Sequence, residues 1–326
     1  MTPQELIEQT KRLITIPSTT DNPAALRRAV DFVADIAGSS PNVTIERFES
    51  GGKPSFLAYR GKLRPAKFDL LLNAHVDVVP GCPEQFEAFE ANGKLYGRGA
   101  LDMKGTAMAL TDGFCELVDV VPYQLGLQLV SDEEIGGYNG AGFQIKQGVR
   151  AKFVLIGEYG THRHAIYPAA RGICWVEVAF PGRRTHGGHL WRGSNAVVRA
   201  SNFIRAVLKH YPIPEEESWV TTASISSLNT PNQTYNQVPD RATLKVDFRF
   251  IPNDPAFRNH DSFRAFIAGI DPAAELIRIE AFEPAVNTPL LNLFIQGLSR
   301  AIQRPQEGIR NILLARPPAM ADTLSW

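Results

Sequence analysis

Apolar and polar positions in the first half of the chain switch repeatedly between helical and strand spacing. Residues 4–15 and 23–37 read as helices; Asp21 and Asn22 are cap candidates for the second, and Pro23 fits its first turn, where a missing N–H costs nothing. Short apolar runs at 43–49, 55–60 and 68–73 read as strands, and 103–118 as a helix. Leu125, Leu127 and Leu129 alternate with Gly126 and Gln128 before Val130, which suits a strand. A short helix at 139–147 and a buried strand at 152–157 follow. Strands alternating with helices predict an α/β layer with a mostly parallel mixed sheet flanked by helices.

The pattern changes near Arg171. Strands are expected at 173–180, 220–228, 242–250 and 275–281, with helices at 195–209 and 261–268. In the longer helix Ala196, Ala200, Phe203, Ile204 and Val207 form one apolar stripe, and Arg199, Arg205 and Lys209 lie off it. This is the signature of a small α+β domain inserted into the first. The expected division is 1–171 with 284–326 as one domain and 172–283 as the insert, with Pro284 and Asn287-Thr288-Pro289 as hinge and a helix at 288–303 returning to the first domain.

Composition narrows the partners. The chain of 326 residues is large for one core and suits about two domains. Lys plus Arg equals Asp plus Glu at 34 each, so no net charge draws the chain to nucleic acid or an anionic membrane. Three scattered cysteines, Cys82, Cys115 and Cys174, form no CxxC and read as reduced thiols. With neither a signal-peptide pattern nor an apolar run of about 18 residues, a cytoplasmic location is expected.

Candidate chemistry sits at the ends of the predicted strands. His75 and Asp77 (LLNAHVDVVP) follow the 68–73 strand, Glu133 and Glu134 (LVSDEEIGG) follow the strand ending at 130, and Glu158 (FVLIGEYG) ends the next. Asp102 lies in GRGALDMKG, a glycine-rich approach to a helix. In open α/β sheets ligands bind beyond the carboxyl ends of the strands. Any one of these motifs alone is commonly a solvated turn. Their shared edge is what points to a site for divalent metal ions, which take imidazole and carboxylate donors.

HVDVVPG, ANGKLYGRGALDMKG, SDEEIGG and GEYG, in this order, resemble the metal motifs of the M20 metallopeptidases, which include succinyl-diaminopimelate desuccinylase, acetylornithine deacetylase, aminoacylase-1 and glutamate carboxypeptidase. FPGRRTHGGHLWRGSNAV and NQVPDRATLKVDFRF extend the resemblance into the insert. It implies a di-zinc exopeptidase-like fold with a lid and dimerisation domain, and two divalent ions, zinc with cobalt or manganese as alternatives. His75 and Glu158 would hold one ion, Asp102 would bridge, and Glu134 would hold the other. Asp77 would orient the His75 ring, and Glu133 would be the general base. The reaction implied is amide hydrolysis by metal-bound hydroxide in an N-acyl amino acid or small peptide. His186 would donate to the oxyanion across a homodimer, and Asn195 would contact substrate. Arg249, which ends an alternating strand, reads either as a partner in an exposed ion pair or, with Asn236 assisting, as a bidentate contact to a substrate carboxylate.

Three departures qualify the resemblance. Tyr159 and Leu190 stand where the family usually has proline. No histidine follows His260, whereas the family supplies a late histidine to the second metal beyond a segment that ARPPAMADTLSW, with Asp322, would match. The expectation is a chain truncated at its C-terminus with a weakened second site. A second reading follows: an impaired homologue acting at most as a binding or dimerising module.

Overall fold

A computed structural model describes residues 1–158 and 166–288. The chain divides into two compact units, with the boundary after residue 159. Tyr159, Asp322, the expected helix at 288–303 and the expected loss of a late histidine all fall outside the described residues, Thr288 excepted.

The first unit opens with α1 (Pro3–Ile14), entered through a capping box in which Thr2 and Glu5 satisfy each other's backbone amides. In α2 (Pro23–Ala37) Asn22 is the cap, its side chain accepting from the Ala25 amide at 3.1 Å; Asp21 instead accepts from the Thr19 hydroxyl. β1 (Val43–Ser50), β2 (Lys53–Arg60) and β3 (Phe68–His75) follow, then a small hairpin of β4 (Phe89–Ala91) and β5 (Lys94–Tyr96). The unit continues with α3 (Lys104–Leu117), β6 (Leu125–Val130), α4 (Ala141–Lys146) and β7 (Ala151–Ile156).

The main sheet runs β1-β2-β6-β3-β7. Its pairings are antiparallel at β1–β2 and β2–β6, and parallel at β6–β3 and β3–β7. The predicted α/β class with a mixed sheet is therefore the one formed. Every residue of β6 is buried. Its polar member, Gln128, is satisfied inside the protein: it accepts from Asn73 and donates to Gln144, which in turn donates to Ser55. Buried amides survive in such a core only when their hydrogen bonds are made. Leu13, Ala29, Val33, Phe56, Leu127 and Phe114 build the apolar interior against α1, α2 and α3.

The second unit starts with β8 (Ala169–Ala170) and β9 (Gly172–Pro181), then α5 (Ala196–His210), β10 (Thr222–Asn229), β11 (Arg241–Phe250), α6 (His260–Ile270), β12 (Glu275–Glu283) and β13 (Val286–Asn287). The sheet order is β10-β11-β9-β12, antiparallel throughout. Cys174, Val176, Val178 and Phe180 of β9 point to one face and pack with Ala200, Phe203 and Val207 of α5, while Trp175 of the other face is exposed. The predicted stripe on α5 is thus the buried one, with Ile204 at its edge. β13 pairs with β8, so Val286 and Asn287, inside the stretch expected to be a hinge, are hydrogen-bonded to Ala170 and Ala169.

Candidate metal centre

Strand register brings the acidic and imidazole candidates of the first unit to one edge. His75 ends β3 opposite Val130, the end of β6, and Asn73 lies opposite Ile156, the end of β7. The chain leaving each strand carries Asp77, then Glu133 and Glu134, then Glu158 to the same side. Asp102 arrives from the turn before α3; the peptide bond after it is cis.

His75 is the hub, with its side chain 1% exposed. Its Nδ1 lies 3.0 Å from the Asp77 carbonyl oxygen and 3.4 Å from the Asp77 carboxylate. Both neighbours accept, so in the neutral ring Nδ1 carries the proton and Nε2 presents a lone pair. Around Nε2 stand carboxylate oxygens of Asp102 at 3.1 Å, Glu158 at 3.3 Å and Glu133 at 3.6 Å. One ring nitrogen satisfies at most one of them. Burial pushes the imidazole's proton affinity down, but hydrogen bonds to Asp102, Asp77 and Glu158 outweigh it, so the ring without metal holds its proton well above the usual histidine range. The hydrogen bond from His75 in turn holds the Asp102 carboxyl below its ordinary value.

A divalent cation fits this arrangement. His75 Nε2 and the carboxylates that converge on it would hold such an ion, whose charge would offset theirs in place of the proton. Donor atoms of His75, Asp102 and Glu158 all lie within 4.8 Å of one another. Glu134 is fixed through its backbone, its amide donating to Asp77 Oδ2 at 3.0 Å. Burial, with the nearby Asp102 charge, raises the Glu134 carboxyl, which the Val79 amide partly offsets. Asp77, fully buried, therefore braces both the His75 ring and the backbone of Glu134.

Two polar side chains beside the cluster are absent from the sequence candidates. Lys104 is completely buried, donating to the carbonyls of Leu13 (3.1 Å) and Ile16 (2.6 Å) at the end of α1. Burial brings its pKa down to about 7. Asp132 is also completely buried, under the loop that bears Glu133 and Glu134. Their only signal in the sequence is adjacency to the metal motifs, in DMKG and SDEE.

The second unit holds the other candidates. His186 is exposed at the tip of a loop closed by the pairing of Arg183 with Ser194, and its backbone bridges to Gln237. Gly182 lets this loop close: a Cβ there would lie 2.3 Å from the Ser194 carbonyl oxygen. The Gly188 amide donates to His186 Nδ1 at 3.1 Å, so the neutral ring carries its proton on Nε2. Asn236 lies beside it, its carbonyl accepting from the Gly187 amide at 2.7 Å. Asn195 caps α5, its side-chain oxygen accepting from Val197 and Val198. Arg249 donates to Asp247 at 2.9 Å and lies over the Trp175 ring. His186 pairs beyond the start of β11 and Arg249 is at its far end; the nine residues of strand from Arg241 to Arg249 span roughly 26 Å. The fold does not bring these two together within one chain.

Residues 71–319 match the model of peptidase family M20/M25/M40. The chain belongs to this family. Family M20 comprises hydrolases of amide and peptide bonds, and curated relatives bear such names. Aminoacylase-1 of Sus scrofa is 28% identical over 210 residues, covering 58% of this chain and 52% of that protein. Succinyl-diaminopimelate desuccinylase of Gluconacetobacter diazotrophicus is 27% identical over 281 residues, covering 78% and 71%. The chain thus spans about half the length of the aminoacylases it matches. The aminopeptidase PepT of Bacillus cereus shares the fold with a TM-score of 0.71 at 17% identity, over 98% of this chain and 86% of its own. The M20 metallo-carboxypeptidase Sso-CP2 of Sulfolobus solfataricus does so at 0.65 and 19% identity, over 92% and 83%.

Proposed function

We propose that this M20 protein is a metal-dependent amidohydrolase that cleaves the amide bond of an N-acyl amino acid or small peptide. One observation carries the reading: three carboxylates converge on the Nε2 of a buried histidine whose Nδ1 is held by Asp77. His75 and Glu158 would hold one divalent ion and Glu134 a second, with Asp102 available to both. The bound ions supply Lewis acidity and a water of lowered pKa.

The chain's own groups do the rest. Glu133, 16% exposed and beside the cluster, takes the proton from the attacking water and passes it to the leaving amine. His186 donates from Nε2 to the oxyanion of the tetrahedral intermediate. Its tautomer, set by Gly188, supports that role. The separation of His186 from Arg249 supports a homodimer in which one subunit supplies His186 and Asn236 and the other the remaining groups. Arg249, with Asn236 of the subunit that supplies His186, binds the substrate carboxylate, for which a guanidinium has matching geometry. Zinc suits the donor set, and cobalt or manganese would bind the same oxygens.

The test is elemental mass spectrometry of the Zn²⁺-loaded protein, followed by assay against N-acyl amino acids and dipeptides. Tightly bound zinc with metal-dependent turnover is the expected result. A protein that holds no divalent ion under these conditions overturns the reading.

A further inference from the structure

The loop that carries both Glu133 and Glu134 is wrapped around one buried carboxylate. β6 ends at Val130, and the Ser131 hydroxyl then donates to the Pro54 carbonyl at 2.6 Å, pinning the start of the loop to β2. Asp132 follows, 0% exposed. Its carbonyl oxygen accepts from the amides of Gly137 (2.8 Å) and Ile135 (3.3 Å). Its side chain reaches across the loop to accept from the Asn139 amide at 2.7 Å. Gly136 and Gly137 take positive φ of 101° and 69° to turn the chain back. Beyond the loop, Gln144 of α4 ties down the far end through Gln128 and Ser55. Gly140 is packed against the same carboxylate, where an added Cβ would lie 2.2 Å from Asp132 Oδ1 and 2.8 Å from Val130 Cβ.

We infer that Asp132 is a positioning residue for the site. It closes the 132–140 loop on itself and so holds Glu133 and Glu134 at the spacing the two-ion site requires. This rests on the roles proposed above for those two glutamates. Asp132 touches neither substrate nor metal and acts only through the loop. A flexible loop would leave the carboxylates free to swing apart, and partners behind metal ligands are typically worth about 10–100-fold in affinity. His75 and Glu158 leave β3 and β7 outside this loop, so the ion they would hold should depend on the clamp less than the one Glu134 would hold.

The test uses Asp132→Asn in the full chain, with Gly140→Ala as a second variant that crowds the same carboxylate. Two readouts are taken: amide hydrogen exchange of the metal-free protein, and zinc binding. Expected for Asp132→Asn is loss of protection in 133–140, with β3 and β6 protected as before. Zinc binding should show one ion retained and the other weakened at least about tenfold. Unchanged loop protection and an unchanged second ion would overturn the inference. If Asp132→Asn unfolds the unit, so that β3 and β6 also lose protection, Gly140→Ala decides: selective loss at the loop and at one ion supports the clamp, and wild-type behaviour in both readouts rejects it. If the wild-type chain takes up no metal, the amidohydrolase reading fails, but exchange in the metal-free protein still accepts or rejects the clamp.

Discussion

Each unit presents one histidine from its candidate chemistry, and the backbone sets the two in opposite states. His75 is buried at the end of a parallel strand with Nδ1 against a carbonyl oxygen; His186 is exposed at a loop tip with Nδ1 against an amide. A carbonyl neighbour puts the proton on Nδ1 and leaves Nε2 a lone pair, which suits a ligand. An amide neighbour puts the proton on Nε2 and makes it a donor. The same residue type is thus prepared for opposite tasks by a single backbone group. The surroundings agree. Three carboxylates crowd His75 Nε2, whereas among the described residues His186 has His189 within ring contact and no ion pair with a carboxylate.

The largest effect is expected at Glu133. Glu133→Gln should keep its metal content while turnover falls about 10²–10⁴-fold, the usual worth of a general base. Elemental analysis beside kcat checks this, and wild-type turnover would remove Glu133 from the mechanism. His186→Ala should lower kcat about 10²–10³-fold, the loss seen for a missing oxyanion donor, and again leave metal in place. Mixing it with Glu133→Gln sharpens the point. Mixed dimers should regain turnover, because one site then has Glu133 from one subunit and His186 from the other. No recovery, with mixed dimers demonstrated, would place His186 in its own subunit's site or outside the chemistry.

Asp77→Asn should act only on the buried histidine's side. It removes the charge behind His75 and disturbs the contact to the Glu134 amide, costing about 10–100-fold in metal affinity, measurable by competition with a chelator. The smallest effect concerns Lys104 in the metal-free protein. Its pKa is about 7 when folded and near 10.5 unfolded, so between these values the unfolded chain binds the extra proton and stability rises with pH. Buried Cys174 and Tyr211 are raised and oppose that trend at higher pH, and the His75 ring, which holds its proton well above the usual range, opposes it within roughly pH 7–9, so the Lys104 contribution is read as the difference between wild type and variant. Lys104→Met should lower the slope of denaturant midpoint against pH across that window; an unchanged slope would leave Lys104 out of the pH dependence.

Much of this was legible in the chain. The alternation of strands and helices, the stripe on α5 and the arrival of His75, Glu133 and Glu158 at one sheet edge follow from periodicity and from where strands end. Among the described residues no helix is long and apolar enough to cross a membrane. Asp132 and Lys104 were not legible as site components, because a buried charge looks in sequence like any surface charge. The partners that make each tolerable, the Asn139 amide and the Leu13 and Ile16 carbonyls, are backbone groups with no residue signature. The short β8–β13 pairing was missed for a similar reason: two residues are too few to show a period, and only their partner strand makes them one.

Residue type, order and period were enough for the fold class and the family, and for naming His75, Asp102 and Glu158, whose donor atoms the fold gathers. Tertiary structure alone decided which nitrogen of each neutral histidine carries the proton, that Asp77 braces both the His75 ring and the Glu134 amide, and that His186 lies beyond the start of β11 while Arg249 sits at its far end. Those outcomes depend on which backbone carbonyl or amide lies about 3 Å from a side-chain atom, a distance set by packing among segments far apart in the chain.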